Sequence, residues 1–288
     1  MSHRVSVVIA TRNRVRELRR TLSELAVLPD RPELVVVDNA STDGTAAMVR
    51  QDFPTARLVR LRRNIGAAGR NVGVRLADGE CVAFSDDDSW WLPGALDRVA
   101  DLFDQHQRLG AVAARTLVGP DSVEDPLSRE LAASPLPRLP DLPGPSVLGF
   151  MACSTAVRRT AFLDAGGFDP LLFIMGEESL LAYDLTAAGW GVCYVDEVVA
   201  RHFPSRSRDP QARESLRRSN DLLTCWMRRP WSTALHRTWS LARSARGDRT
   251  SRRALARVAR ALPRALVRRR ALPTEVEAQI RLLENQGS

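Results

Sequence analysis

Short apolar runs alternate with amphipathic stretches through the first 120 residues of the chain. The runs fall at 5–10 (VSVVIA), 33–38 (ELVVVD), 57–61 (RLVRL), 81–85 (CVAFS) and 110–118 (GAVAARTLV). Each has the length of a strand buried on both faces. Between them, apolar positions recur at helical spacing over 14–27, 42–51, 66–77 and 93–106. Ser41 or Thr42 is placed to cap the second helix, and Pro93 falls near the first turn of the fourth. The alternation predicts βαβ units and an α/β fold with a mostly parallel sheet flanked by helices.

Residues 119–147 break the rhythm with seven prolines and read as a long excursion. Beyond them the pattern predicts a strand at 149–157, a short helix, a turn at Gly166-Gly167, a helix at 177–188 and a strand at 191–196. From 210 onward it is helical and arginine-rich, which divides the chain into a domain over 1–205 and a helical extension over 206–288.

At 288 residues and 44% hydrophobic, the chain can bury one large core. The net charge of +8 is unevenly spread: 201–288 hold 21 basic and 7 acidic residues, against 21 and 27 in 1–200. Every basic residue in these counts is arginine. Cys81, Cys153, Cys193 and Cys225 stand far apart without C-x-x-C spacing, which argues for reduced thiols in a cytosolic protein and against zinc. The N-terminus enters a strand directly and shows no signal-peptide pattern, and no run approaches 18 apolar residues.

In an open parallel sheet, ligands bind at the carboxyl ends of the strands. The first strand ends in Ala10-Thr11-Arg12-Asn13-Arg14 and the second in Asp38-Asn39-Ala40-Ser41, with neither a G-x-G-x-x-G turn nor a Walker A loop. Asp38 can accept hydrogen bonds from a ligand, or simply close an Asx turn. Arg63-Asn64-Ile65-Gly66-Ala67-Ala68-Gly69-Arg70 places glycines at a helix start beside arginines, which suits a phosphate or a plain tight turn. Asp86-Asp87-Asp88 in FSDDDSW is the strongest feature. Hard divalent cations take such carboxylates together with substrate phosphates; the bland reading is a solvated acidic turn before a helix. Glu177 and Glu178 open a helix, either as a general base or as complements to the helix dipole. His202, alone in VVARHFPS, reads as structural in isolation.

Together and in order, VSVVIATRNR (5–14), VVVDNASTDGT (35–45), RRNIGAAGRNVG (62–73), FSDDDSW (84–90), GGFD (166–169) with MGEES (175–179), and AAGWGVCYVDEVVARH (187–202) resemble the family 2 glycosyltransferases of the GT-A fold. The resemblance implies an inverting transfer from a nucleoside-diphosphate sugar to an acceptor hydroxyl, assisted by Mg²⁺ or Mn²⁺. It places Thr11, Arg12 and Asp38 on the nucleoside, with Asp38 on the base, and Asn64, Gly66 and Arg70 beside the sugar nucleotide. Asp86 to Asp88 correspond to the D-x-D motif, with Asp88 chiefly on the metal, Asp86 nearer the donor and also a metal ligand, and Asp87 in support. His202 matches a histidine that completes the metal or diphosphate site. Glu178 matches the catalytic base, with Glu177 as its partner. Where many members carry a further acid, this chain has Leu180, which bears on acceptor positioning. A catalytically silent nucleotide-sugar binder and a nucleotidyltransferase-like protein are the alternatives.

In the tail, RTSRRALARVARALPRALVRRR (249–270) sets Leu255, Val258, Leu262 and Leu266 at helical spacing among arginines, with a kink expected at Pro263. Packing against the domain is one reading. Attachment to an anionic membrane surface, helped by Trp226, Trp231 and Trp239, is the other, and it suits a glycan or glycolipid acceptor on the inner face of the membrane. Nucleic acid is the rival partner and is not expected, because the basic charge is confined to the tail and no nucleic-acid motif occurs.

Overall fold

The computed structural model describes residues 3–204 and 210–286. Strands β1 (Val5–Thr11), β2 (Glu33–Asp38), β3 (Arg57–Arg60) and β4 (Cys81–Ser85) form on the expected apolar runs. Helices α1 (Val15–Ala26), α2 (Thr45–Asp52), α3 (Gly69–Leu76) and α4 (Ala95–Gln105) occupy the amphipathic stretches. There follow β5 (Ser89–Trp91), β6 (Leu109–Val118), β7 (Val123–Glu124), α5 (Pro126–Ala132), β8 (Thr155–Arg158), α6 (Arg159–Asp164), α7 (Glu177–Ala187) and β9 (Gly191–His202). The nine-stranded sheet runs β3-β2-β1-β4-β8-β6-β9-β5, with β7 paired to β6. Neighbours β3, β2, β1 and β4 are parallel, whereas β8 is antiparallel to both β4 and β6. Alternate residues of β1 enter opposite cores: Val7 and Ile9 pack with Leu18 and Leu22 of α1, and Val8 packs with Val74 of α3 and Phe84.

Several local expectations change. Neither Ser41 nor Thr42 caps α2, which starts after Gly44; the Ser41 N–H is held by Asp38 and its hydroxyl accepts from Asn13 N–H. The predicted strand at 149–157 begins instead with a single 3₁₀ turn, Ala152–Ser154, whose Cys153 carbonyl accepts from the Ser89 hydroxyl. The predicted strand at 191–196 continues to His202, because Val199–His202 pair with β6 and Ala200–His202 with β5. The excursion at 119–147 holds β7 and α5, the latter capped by Asp125, and buries Leu136 and Leu142.

The expected domain boundary after residue 205 lies outside the described residues. The extension forms α8 (Pro210–Arg228), α9 (Trp231–Ser244), α10 (Arg249–Val267) and α11 (Thr274–Gln286). Leu222, Leu223 and Met227 of α8, with Val258 and Ala265 of α10, enclose Leu172 and Leu180 in one apolar cluster. Buried ion pairs reinforce it: Arg228 meets Asp184 of α7 at 2.5 Å, and Arg229 meets Glu277 at 2.6 Å. The buried face of α10 is Ser251, Ala254, Val258 and Ala265; of the expected stripe, Val258 is buried and Leu262 packs partly while Leu266 is exposed, and the helix runs on through Pro263. Small residues there let α8 and α10 approach closely. Among the described residues, no helix is long and apolar enough to cross a membrane.

Leu180 is therefore a packing residue, 1% exposed, where the resemblance places an acid. Leu180→Asp is expected to lower folding stability by about 3 kcal/mol, read from the urea midpoint, because it buries a carboxylate among apolar side chains.

Candidate active site

The adjacent parallel strands β2, β1 and β4 bring their carboxyl ends to one edge of the sheet. A cavity of about 400 Å³ opens there. Of the predicted residues, Thr11, Arg12, Asn64, Gly66, Arg70, Asp86 and Asp87 line it. Arg14, Asn39, Phe173 and Ile174 line it as well and were not singled out from the sequence. A larger groove lies elsewhere, in the helical extension, but the convergent carboxylates and arginines are at the strand ends.

The three aspartates diverge. Asp86 donates its backbone N–H to Ser89 Oγ and turns its carboxylate to Arg70. Asp87 accepts from Thr11 Oγ1 at 2.9 Å and from Arg14 Nε at 3.1 Å. Asp88 is buried, 3.0 Å from Arg14 Nη2 and 3.5 Å from His202 Nε2. Two arginines, Arg14 at the head of α1 and Arg70 in α3, thus offset much of the charge within the chain itself. Burial and the Asp86 charge still push Asp87 up to about 6, against the pull of Arg14. Burial works to lower the His202 imidazole, but Asp88 outweighs it and holds the ring above its ordinary value.

Asp38, at the end of β2, is fully buried and lies outside the cavity lining. Its Oδ1 accepts from Ser41 N–H at 2.8 Å, the turn-closing role, while Arg60 Nε stands 3.5 Å from Oδ2. Asn39 takes the lining position beside it and staples the glycine loop: its amide donates to Gly66 O at 3.1 Å, and its carbonyl accepts from Ile65 N–H at 3.3 Å. Asn64 Oδ1 accepts from Gly66 N–H at 3.0 Å.

Gly66 has φ +64°, and a Cβ there would fall 2.0 Å from the Phe173 carbonyl oxygen. That carbonyl accepts from Ala67 N–H at 2.6 Å, so the glycine loop and the 171–176 loop lock together across the cavity mouth. Gly66→Ala must break this lock. Its expected result is donor binding weakened by about tenfold in calorimetry, from strain in a loop that borders the cavity.

Arg70, 7% exposed, is the shared cation of the site. Burial disfavours its charge, but Asp86, Glu177 and Glu178 together raise its pKa above the ordinary value. Glu177, buried, and Glu178, partly exposed, start α7 beside the residues that line the cavity, after Gly176 at φ +88°. Glu178 Oε2 accepts from Gly176 N–H at 3.2 Å. Burial, then the charge of Glu178, push Glu177 up to about 8. Burial likewise raises Glu178, with Arg70 opposing and Asp86 adding to the shift. The pair holds protons to unusually high pH, as a base in a dry site does.

Asp86, Cys153 and His202 bring potential metal-ligand atoms within 4.8 Å of one another. Burial raises the Cys153 thiol well above its ordinary pKa, so it stays protonated and does not suit a hard cation. Asp86 and His202, with Asp88 against the same imidazole, supply oxygen and nitrogen donors that fit Mn²⁺ or Mg²⁺. The structure thus joins the predicted metal residues and adds Cys153 to their surroundings. No sequence signal marked this thiol, because Cys153 reaches the site only through the turn at 152–154.

The family model for glycosyl transferase family 2 matches residues 6–166. The chain belongs to this family. It is 29% identical over 246 residues to the N-acetylglucosaminyl-diphospho-decaprenol L-rhamnosyltransferase of Mycobacterium tuberculosis, covering 73% of this chain and 80% of that protein. It is 33% identical over 147 residues to the succinoglycan biosynthesis protein ExoO of Rhizobium meliloti, covering 50% and 41%. Among solved structures, S. aureus TarS 1–349 in complex with UDP-GlcNAc superposes with TM-score 0.61 at 18% identity, covering 96% of this chain and 83% of that one. The mannosyltransferase PcManGT of Pyrobaculum calidifontis, in complex with GDP-Man and Mn²⁺, gives TM-score 0.58 at 21% identity over 99% and 79%. The fold of this glycosyltransferase is accordingly GT-A, as the motif order implied.

Proposed function

We propose that this glycosyltransferase is inverting and metal-assisted, and moves a sugar from a nucleoside-diphosphate sugar to an acceptor hydroxyl in cell-envelope polysaccharide or glycolipid synthesis. The observation that carries the reading is the buried Arg70, paired with Asp86 at the cavity and sharing its charge with Glu177 and Glu178. Thr11, Arg12, Asn64 and Gly66 border the donor, and Asp38 anchors the turn beneath the base.

Glu178 takes the proton of the acceptor hydroxyl as that oxygen attacks the anomeric carbon. The bond to the diphosphate oxygen breaks on the opposite face, its electron pair leaving with the nucleoside diphosphate, so the configuration inverts. Arg70 holds positive charge where the leaving group gains negative charge, an arrangement that carries much of a barrier reduction in such sites. Asp86, Asp88 and His202 would hold Mg²⁺ or Mn²⁺, which when bound supplies Lewis acidity to the diphosphate.

The M. tuberculosis relative's name supports a deoxyhexose donor and a lipid-linked acceptor. The four free cysteines support a cytoplasmic location, and the 1–205 and 206–288 division describes a catalytic domain with a helical support. A thermal-shift panel of UDP-, GDP- and dTDP-sugars with Mn²⁺ tests the proposal. At least one donor is expected to raise the melting temperature and then to turn over with a lipid-linked or glycan acceptor. A panel in which none does either contradicts the reading.

A further inference from the structure

The helical extension leaves two features that the transfer reaction does not use. On α9, Trp231, Leu235 and Trp239 recur four residues apart on one face and are 53%, 58% and 58% exposed. Val267, at the end of α10, is 89% exposed. Arginines stack on both tryptophans: Arg269 lies 4.0 Å from the Trp231 ring centroid and Arg243 lies 4.6 Å from that of Trp239. Monomer surfaces rarely leave two tryptophans and a leucine in a row to water.

The second feature is the groove of about 620 Å³ between α8 and α10. Arg253, Arg257, Arg260 and Arg264 line it over a floor that includes Ala256 and Ala261. Their spacing sets all four on one side of α10. None of the four has an acidic partner among the described residues, whereas Arg228, Arg229 and Arg237 in the same extension are ion-paired. A row of unpaired arginines repels itself and gains most from a surface that carries negative charge.

We propose that the α8–α10 layer docks this protein on an anionic phospholipid bilayer, with Trp231, Leu235 and Trp239 entering the headgroup region and the four groove arginines holding lipid phosphates. Tryptophan prefers the boundary between headgroup and acyl chain, and arginine binds phosphate in a planar, forked geometry. The +14 balance of residues 201–288, from 21 basic and 7 acidic residues, gives the layer the matching long-range attraction. Leu172 and Leu180 pack the extension against the 171–176 loop and α7, so the docked layer and the candidate site belong to one packed unit. The inference adds a location to the proposed function and stands on different residues.

The test uses the full chain with vesicles of phosphatidylcholine alone or with about a quarter phosphatidylglycerol. Co-sedimentation is expected with the anionic vesicles, at least about tenfold tighter than with neutral ones and weakened by salt. Brominated lipids are expected to quench tryptophan fluorescence in the unaltered protein. Trp231→Gln with Trp239→Gln should remove the quenching, and the fourfold Arg→Gln change at 253, 257, 260 and 264 should remove the charge preference. Donor thermal shifts, unchanged in both variants, would show that the folded donor site survives, and so separate this proposal from the catalytic one. Failure of the unaltered protein to bind anionic vesicles, absence of bromolipid quenching, or a preference for duplex DNA over the vesicles would each overturn the proposal.

Discussion

Glu178→Gln is expected to lower kcat/KM for sugar transfer by about a thousandfold while leaving donor affinity within about twofold. Glutamine keeps the shape at the start of α7 but cannot take the acceptor proton. The wild-type rate should also climb with pH. A base works only when ionised, and here burial raises Glu178 while Glu177 beside it is pushed up to about 8. Both carboxyls are held above their ordinary values, so the acid limb of the profile falls above the usual carboxylate range. Stability runs the other way. The folded chain keeps a proton on Glu177 that the unfolded chain loses near 4.5, so stability falls as pH rises from there to about 8. Glu177→Gln should flatten that slope. A rate independent of pH between about 6 and 9, or a Glu178→Gln variant as fast as wild type, would set this assignment aside.

Arg70→Ala is expected to cost about 3–5 kcal/mol of folding stability in urea titrations and to abolish transfer. The guanidinium is buried beside Asp86 and is the cation that Asp86, Glu177 and Glu178 share. Removing it leaves carboxylates in a dry region with no counterion, and they respond by holding protons more tightly. Glu178 loses the cation that opposes its upward shift and holds its proton still more tightly, so catalysis fails even in molecules that fold. Arg70→Lys keeps the charge without the planar fork, and should recover more of the stability than of the rate. A variant at Arg70 that unfolds at the wild-type urea concentration would show that the site does not depend on this balance.

The β1–β4 half of the sheet and the gathering of Thr11, Asn64, Arg70 and Asp86 were legible in the sequence, because strand length, turn glycines and motif order are local signals. Arg14 was not. Its role comes from lying across two strand ends from Asp87 and Asp88, at 3.1 and 3.0 Å, a pairing that only the folded sheet creates. The same holds for Leu180, whose meaning comes from α8 and α10 packing over it. The charge run at 86–88 looked like a cost awaiting a metal. Much of it is answered by two arginines, Arg14 against Asp87 and Asp88 and Arg70 against Asp86. On α10 Val258 and Leu262 of the expected stripe pack inward, but Ser251, Ala254 and Ala265 join them and Leu266 stays exposed, since close packing against α8 favours small side chains.

The Asp86 end of the cavity is expected to hold a nucleotide sugar together with a divalent ion. Calorimetric titration of the donor that stabilises the protein most, with and without Mn²⁺, into wild type and Asp86→Ala tests it most directly. Binding is expected to be at least about tenfold tighter with the ion in wild type, with no effect of the ion in the variant. Equal affinity in all four titrations would contradict it.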